Sequence, residues 1–162
     1  MRVSPCLETK RLVLRAALPL DRPFVRRLLT DAAVRRYLGG VVAPKDLEAA
    51  VTANLARDDG EDVWIVASRA GGKAALVALT WHRDGQDIEL SYQFCREAWG
   101  RGFAREALVC VRDYALGERG LARVIAETQA ANARSVRLLR DLGMREVARL
   151  ERFGAAQVIF GT

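Results

Sequence analysis

The chain has 162 residues, 51% hydrophobic and 28% charged, a balance that suits one soluble globular domain over residues 1–162 with a core of useful size. No run approaches the roughly 18 apolar residues that a membrane-spanning helix needs, and the N-terminus lacks a basic-then-apolar signal pattern, so a cytoplasmic protein with no membrane partner is expected. The formal charge of +6 raises nucleic acid as a partner, but the arginines are scattered among acidic and apolar neighbours, with no basic block and no aromatic-interleaved basic stripe, so nucleic acid is an unlikely partner.

In chain order, residues 9–16 alternate, with Leu12 and Leu14 opposite Arg11, Val13 and Arg15, as a half-buried strand does. Asp21 is placed to cap a helix whose apolar positions include Phe24, Val25, Leu28 and Leu29. Pro44 opens a second helix in which Leu47, Ala50, Val51, Asn54 and Leu55 share one face, with Asn54 the one polar interruption. Three strands follow, at residues 63–68, 74–81 and 88–95, joined by turns at 69–73 and 83–87. A helix is expected over 105–119 with Gly120 just past its end, then a strand at 123–128. Asn132 is a candidate cap for a helix running to Leu142, with Gly143 beyond it, and strands at 145–152 and 156–160 turn at 153–155. Cys6, Cys95 and Cys110 are odd in number and fit no metal spacing, so inert buried thiols are expected and no metal. His82 sits at a strand end and reads as a surface turn residue; Trp64, Trp81 and Trp99 read as core or rim aromatics.

Residues 99–104, Trp99-Gly100-Arg101-Gly102-Phe103-Ala104, join the strand at 88–94 to the next helix. A strand, a glycine-rich turn and a helix start in that order make an anion site, because the first helical N–H groups have no intrahelical acceptor and the dipole puts partial positive charge there. Two glycines also suit a plain tight turn, so the surroundings decide. They comprise Ile88-Glu-Leu-Ser-Tyr-Gln-Phe94 before the loop and Glu106-Ala107-Leu108 after it. Further on stand Asn132-Ala-Arg-Ser135 and Leu139-Arg-Asp-Leu-Gly-Met144, and the chain opens with Leu7-Glu-Thr-Lys-Arg-Leu-Val-Leu-Arg15. This set resembles the GNAT superfamily of N-acetyltransferases, and within it the RimJ/RimL-like branch that acetylates protein N-termini and small amines. The family's loop reads Gln or Arg, two residues, Gly, one residue, Gly or Ala. Gly102 and Ala104 match it, and Trp99 replaces the usual Gln or Arg in a variant familiar in this branch.

The resemblance implies an α/β GNAT fold: a mixed, mostly antiparallel central sheet flanked by helices, with a strand splay at the acyl-CoA site. It implies acetyl-CoA as co-substrate, its pyrophosphate cradled by backbone N–H groups of Arg101, Gly102, Phe103, Ala104 and Arg105. Arg101 and Arg105 either pair with phosphate oxygens or stay solvated. Tyr92, Gln93 and Phe94 map to the splayed strand that pairs with the pantetheine arm, as a ligand adds to a sheet edge. Asn132 maps to a contact with the same arm, and Ser135 to a group that protonates the departing thiolate. On the residues alone, Asn132 is a helix cap and Ser135 fills the first turn. Many family members use a later tyrosine as the acid; none follows Tyr114 here, which leaves Ser135 or water.

Glu89 matches an acidic position from which a carboxylate takes the acceptor's proton, although it also reads as a solvent-facing strand residue. Glu151 is a second candidate near the final hairpin. The acceptor is a primary amine on a protein N-terminus or a small molecule, and an N-terminal amine, with a pKa near 7.7–8.0 against about 10.4 for lysine, is the easier one to deprotonate. Tyr37 falls in a region that walls the acceptor site in the family. The tail from Phe153 to Thr162 carries no charge where relatives place an acidic residue, so acceptor identity does not transfer by analogy. The missing tyrosine, uncharged tail and unassigned base keep a non-catalytic acyl-CoA-binding or regulatory domain as the alternative. The resemblance is also compatible with a homodimer.

Overall fold

The computed structural model describes residues 3–162. Its strands are β1 (Leu7–Glu8), β2 (Leu12–Ala16), β3 (Asp62–Ser68), β4 (Lys73–Trp81), β5 (Ile88–Phe94), β6 (Ile125–Gln129), β7 (Arg145–Arg152) and β8 (Ala155–Gly161). They form one sheet in the order β1-β2-β3-β4-β5-β6-β8-β7. The helices are α1 (Arg22–Thr30), α2 (Leu47–Leu55), α3 (Phe103–Leu116) and α4 (Ala133–Asp141). Every strand pair is antiparallel except β5–β6, which α3 connects as a crossover. This is the expected mixed α/β layer, with the short β1 added in front. Among the described residues no helix is long and apolar enough to cross a membrane.

The hydrophobic pattern explains most of the assembly. Leu12 and Leu14 are fully buried on the inner face of β2, and Phe24, Val25, Leu28 and Leu29 form the buried stripe of α1. β3 and β4 are buried on both faces, as near-continuous apolar runs require. The helices lie on opposite faces of the sheet. Tyr92 and Gln93 are neighbours on β5, so their side chains point to opposite sides. Tyr92 meets Ser135 of α4, and Gln93 meets Asn54 of α2. Tyr114 of α3 packs edge-on against Trp64, on the Tyr92 side.

Helix ends moved by a few residues. Pro44 lies in the turn before α2, which starts at Leu47, and only Val51 of its stripe is fully buried. α3 begins at Phe103, with Gly102 as its left-handed N-cap (φ 74°), and stops at Leu116. Gly120 serves a separate turn, in which the Leu121 N–H reaches the Ala115 carbonyl at 3.0 Å. α4 matches the expectation: Asn132 Oδ1 accepts from the Ser135 N–H at 3.2 Å. Gly143, at φ 79°, lets the Met144 N–H return to the Leu139 carbonyl. Of the cysteines only Cys95 is buried; Cys110 is half-buried and Cys6 is exposed, against the expectation of three buried thiols. β7 forms an outer edge, exposed along most of its length.

Asp21 departs from its expected role. It occupies the cap position of α1 without capping it. The fully buried carboxylate instead accepts from both Arg15 terminal nitrogens at 2.8 and 2.7 Å, from Lys73 Nζ at 2.7 Å and from the Leu18 N–H at 2.9 Å. Burial alone would raise its pKa, but the bonds from Arg15 and Lys73 overcome this and hold the carboxyl well below the usual range. One side chain thereby ties β2, β4 and the start of α1 together. Asp21→Asn is expected to cost about 3 kcal/mol in urea unfolding at pH 7, since two cations lose their shared partner. The wild-type advantage is present above the ordinary carboxylate pKa and lost as pH falls through the depressed folded value. The gap between the two proteins therefore closes only well below about pH 4.

Candidate active site

The glycine loop is built from backbone and braced by side chains behind it. The left-handed Gly102 turns the chain into α3, and the N–H groups of Phe103, Ala104 and Arg105 have no acceptor among the described residues. These are the groups an anion needs. Arg11 braces the loop: its Nη1 donates to the Arg101 carbonyl at 2.8 Å and its Nε to Glu106 Oε2 at 2.7 Å. Glu106 Oε1 accepts from Thr9 Oγ1 at 2.6 Å and from the Arg11 N–H at 2.8 Å. The Arg11 and Arg101 guanidinium carbons lie 4.9 and 4.3 Å from the Phe103 ring centroid. Arg101 is thus laid against Phe103, while Arg105 is exposed and without a partner among the described residues. Trp99, the departure from the family loop, has a structural use. Its indole N–H donates to the Phe94 carbonyl at 2.9 Å, and the Arg134 guanidinium lies 5.4 Å from its ring, so Trp99 links β5 to α4 across the loop.

Next to the loop, β5 and β6 part. Their ladder holds one pair, Glu89 with Ile125, and the β6-facing edge of β5 beyond it has no partner strand. Tyr92, Gln93 and Phe94 lie on this open stretch. On the α3–α4 side the Tyr92 hydroxyl is hydrogen-bonded to Ser135 Oγ, and Ser135 is buried. Burial pushes the Tyr92 phenol up to about 12, with the Ser135 bond opposing, so it stays protonated at neutral pH. Asn132, capping α4 through Ser135, holds that serine in place.

The opposite face carries Glu89. Its pKa is raised, first by burial and further by the charge of Glu127, against the pull of His82. His82 is not a surface turn residue: it is 3% exposed, with Nε2 2.7 Å from Glu127 Oε2 and Nδ1 2.9 Å from Asp84 Oδ2. Burial would lower its pKa, but the two carboxylates prevail and raise it. Arg152 closes the group, with Nε 3.0 Å from Glu127 Oε1. Glu151 is not part of this cluster. It pairs with Ala156 while Arg152 pairs with Ala155, so Glu151 is exposed on the other face of β7. His82, Glu127 and the Tyr92 hydroxyl were missed as site groups in the sequence. An acidic residue inside a short buried strand, as Glu127 is, was the available signal.

Comparison with known proteins agrees with this fold. The sequence model of the acetyltransferase (GNAT) domain family matches residues 11–145. An uncharacterized N-acetyltransferase of Bacillus subtilis, YoaA, is 27% identical over 157 residues, covering 92% of this chain and 88% of its own. An acetyltransferase from Agrobacterium tumefaciens superposes with a TM-score of 0.86 at 20% identity, covering 100% of this chain and 96% of that one. A spermidine N-acetyltransferase from Vibrio cholerae, solved with CoA and spermine, superposes with a TM-score of 0.80 at 21% identity, covering 95% and 96%.

The raised His82 pKa carries a stability consequence. Its ion pairs contribute fully below the unfolded value of about 6.5 and fade as pH rises through the folded value. In urea unfolding between pH 6 and 9, the wild type should lose roughly 1–2 kcal/mol that His82→Gln does not lose.

Proposed function

The chain belongs to the acetyltransferase (GNAT) domain family, and from that premise we propose that it transfers the acetyl group of acetyl-CoA to a primary amine by direct attack in a ternary complex. The observation that carries this reading is the splay itself, with a desolvated carboxylate on one face and a buried hydroxyl pair on the other. The free N–H groups of Phe103, Ala104 and Arg105 fit a pyrophosphate, and the open edge of β5 at Tyr92, Gln93 and Phe94 fits the amide-bearing arm. Asn132 adds a contact to that arm.

Glu89 takes the acceptor's proton, directly or through water, because only a neutral amine has the lone pair to attack. Its raised pKa, caused first by burial, brings it closer to that of the ammonium it must deprotonate. Glu151, on the opposite face, is the weaker candidate. A backbone N–H of the open β5 edge polarises the thioester carbonyl. As the carbon–sulfur bond breaks, the sulfur keeps the electron pair and the Ser135–Tyr92 hydroxyl pair supplies a proton. The tyrosine absent after Tyr114 is thus replaced from β5. A coenzyme-binding domain without turnover has no use for a desolvated carboxylate facing the gap. The RimJ/RimL-like resemblance favours N-terminal amines, and the spermidine N-acetyltransferase neighbour adds polyamines to the candidates.

The test is free-thiol release from acetyl-CoA across N-terminal peptides, lysine peptides, aminoglycosides, polyamines and amino acids. Release with one class identifies the acceptor; silence with coenzyme binding intact counts against an amine acceptor. Gly102→Glu, which forces a charged side chain into a left-handed position at the start of α3 with its Cβ 3.3 Å from Arg11 Nη2, the loop's brace, should weaken coenzyme binding at least tenfold. Glu89→Gln should lower kcat about 10²–10⁴-fold. The wild-type acidic limb of kcat/KM, falling as pH drops through the raised Glu89 pKa, should be absent from that variant.

A further inference from the structure

Asn54, the polar interruption in the α2 stripe, is explained by what it touches. Gln93 Nε2 donates to Asn54 Oδ1 at 3.2 Å, and Asn54 Nδ2 donates to the Ala50 carbonyl at 2.8 Å. Gln93 Oε1 in turn accepts from Arg35 Nη1 at 3.4 Å. Arg35 also donates through Nε to the Gly40 carbonyl at 2.9 Å and through Nη2 to the Leu38 carbonyl. Arginine can only donate, so the polarity of the chain is fixed: Gln93 must present its oxygen to Arg35 and its nitrogen to Asn54, which must do the same toward Ala50. Each amide oxygen in the trio already accepts one bond from within it. What the trio chiefly has left to offer is donors, namely the unused guanidinium N–H groups and the second N–H of each amide.

The charge is also unanswered. Arg35 is half-buried and burial lowers its pKa, with no carboxylate opposing that shift. Arg15, Arg119 and Arg152, also drawn into the interior, are ion-paired to Asp21, Asp62 and Glu127. A partly desolvated guanidinium without a counter-charge is costly unless a ligand supplies one. This one sits at the open stretch of β5 and on the Glu89 side of the sheet, since Gln93 and Glu89 share a face about 13 Å apart at roughly 3.3 Å per residue.

We propose that the acceptor is an amine that also bears a carboxylate, and that Arg35, with the Gln93 and Asn54 amide N–H groups, receives that carboxylate while the amine faces the splay. This rests on the amine-acetyltransferase reading above and narrows it. A polyamine would bring cationic groups against a cationic lining rich in donors and without a carboxylate, so polyamines are the disfavoured class.

Calorimetry with CoA-loaded protein and N-acetylated ω-amino acids of increasing length, each against its primary amide, tests the site without requiring turnover. The acid form of one length should bind at least tenfold more tightly than its amide. Arg35→Gln should erase that preference, and Arg35→Lys should keep part of it. Gln93→Glu, which puts a carboxylate on Arg35 within the native chain, should erase it with the turn at 35–40 intact, covering the case in which Arg35→Gln disturbs that turn. Equal binding of acid and amide at every length, or a preference that survives Arg35→Gln, overturns the proposal. Thiol release run in parallel separates the two readings. If polyamines are acetylated and amino acids are not, the carboxylate site fails and the transferase reading stands. If acid is preferred over amide but no amine is acetylated, the reverse holds.

Discussion

β5 and β6 run side by side but pair only at Glu89 and Ile125, so a length of strand edge in the middle of the sheet has no partner. Buried backbone groups do not stay unpaired at low cost, and an interior edge is a standing demand for an extended, hydrogen-bonding ligand. The rest of the site follows from where that gap opens. Period-two alternation sends Glu89 to one side and Tyr92 to the other, so a desolvated carboxylate and a buried hydroxyl lie on opposite faces of the same strand. The crossover helix that parallel strands require starts at the mouth of the gap and brings its unfilled N–H groups there.

A gap of this kind needs rigid borders, and the sequence puts its strongest polar contacts around them. Arg11, far from the loop in sequence, fixes the loop through the Arg101 carbonyl and Glu106. Trp99 joins the end of β5 to α4. His82, Glu127 and Arg152 fasten the Glu89 end across three strands. The loop backbone is free to face a ligand because none of these braces spends its N–H groups.

Much of this was legible beforehand. Alternation placed Leu12 and Leu14, helical spacing placed the α1 stripe, and glycine and asparagine chemistry placed both ends of α4. These signals are local, fixed by the period of one element or the φ of one residue. What stayed hidden depends on pairing between distant segments. Asp21 looked like a cap because local chemistry favours caps, yet Lys73 lies 52 positions away. His82 looked like a turn residue because nothing nearby in the chain reveals Glu127. Tyr92 was assigned by its backbone, and its hydroxyl gained a role only once α4 was folded against β5. Glu151 and Arg152 are adjacent in sequence, and only the register of β7 against β8 separates their faces.

The two ends of the sheet are closed in different ways. β1 is two residues long and offers little ladder to extend. β7 is long, but it carries Arg145, Glu146, Arg149, Glu151 and Arg152, with Arg149 ion-paired to Glu146 along the same strand. Another strand adding there would have to strip water from that row of ions before gaining a backbone bond. An open sheet grows most easily at its margins, and with both margins guarded the inviting edge among the described residues is the internal gap. That gap is closed at one end by the Glu89–Ile125 pair and lies within the sheet, so an edge that suits an extended ligand is not one onto which sheet after sheet can be added.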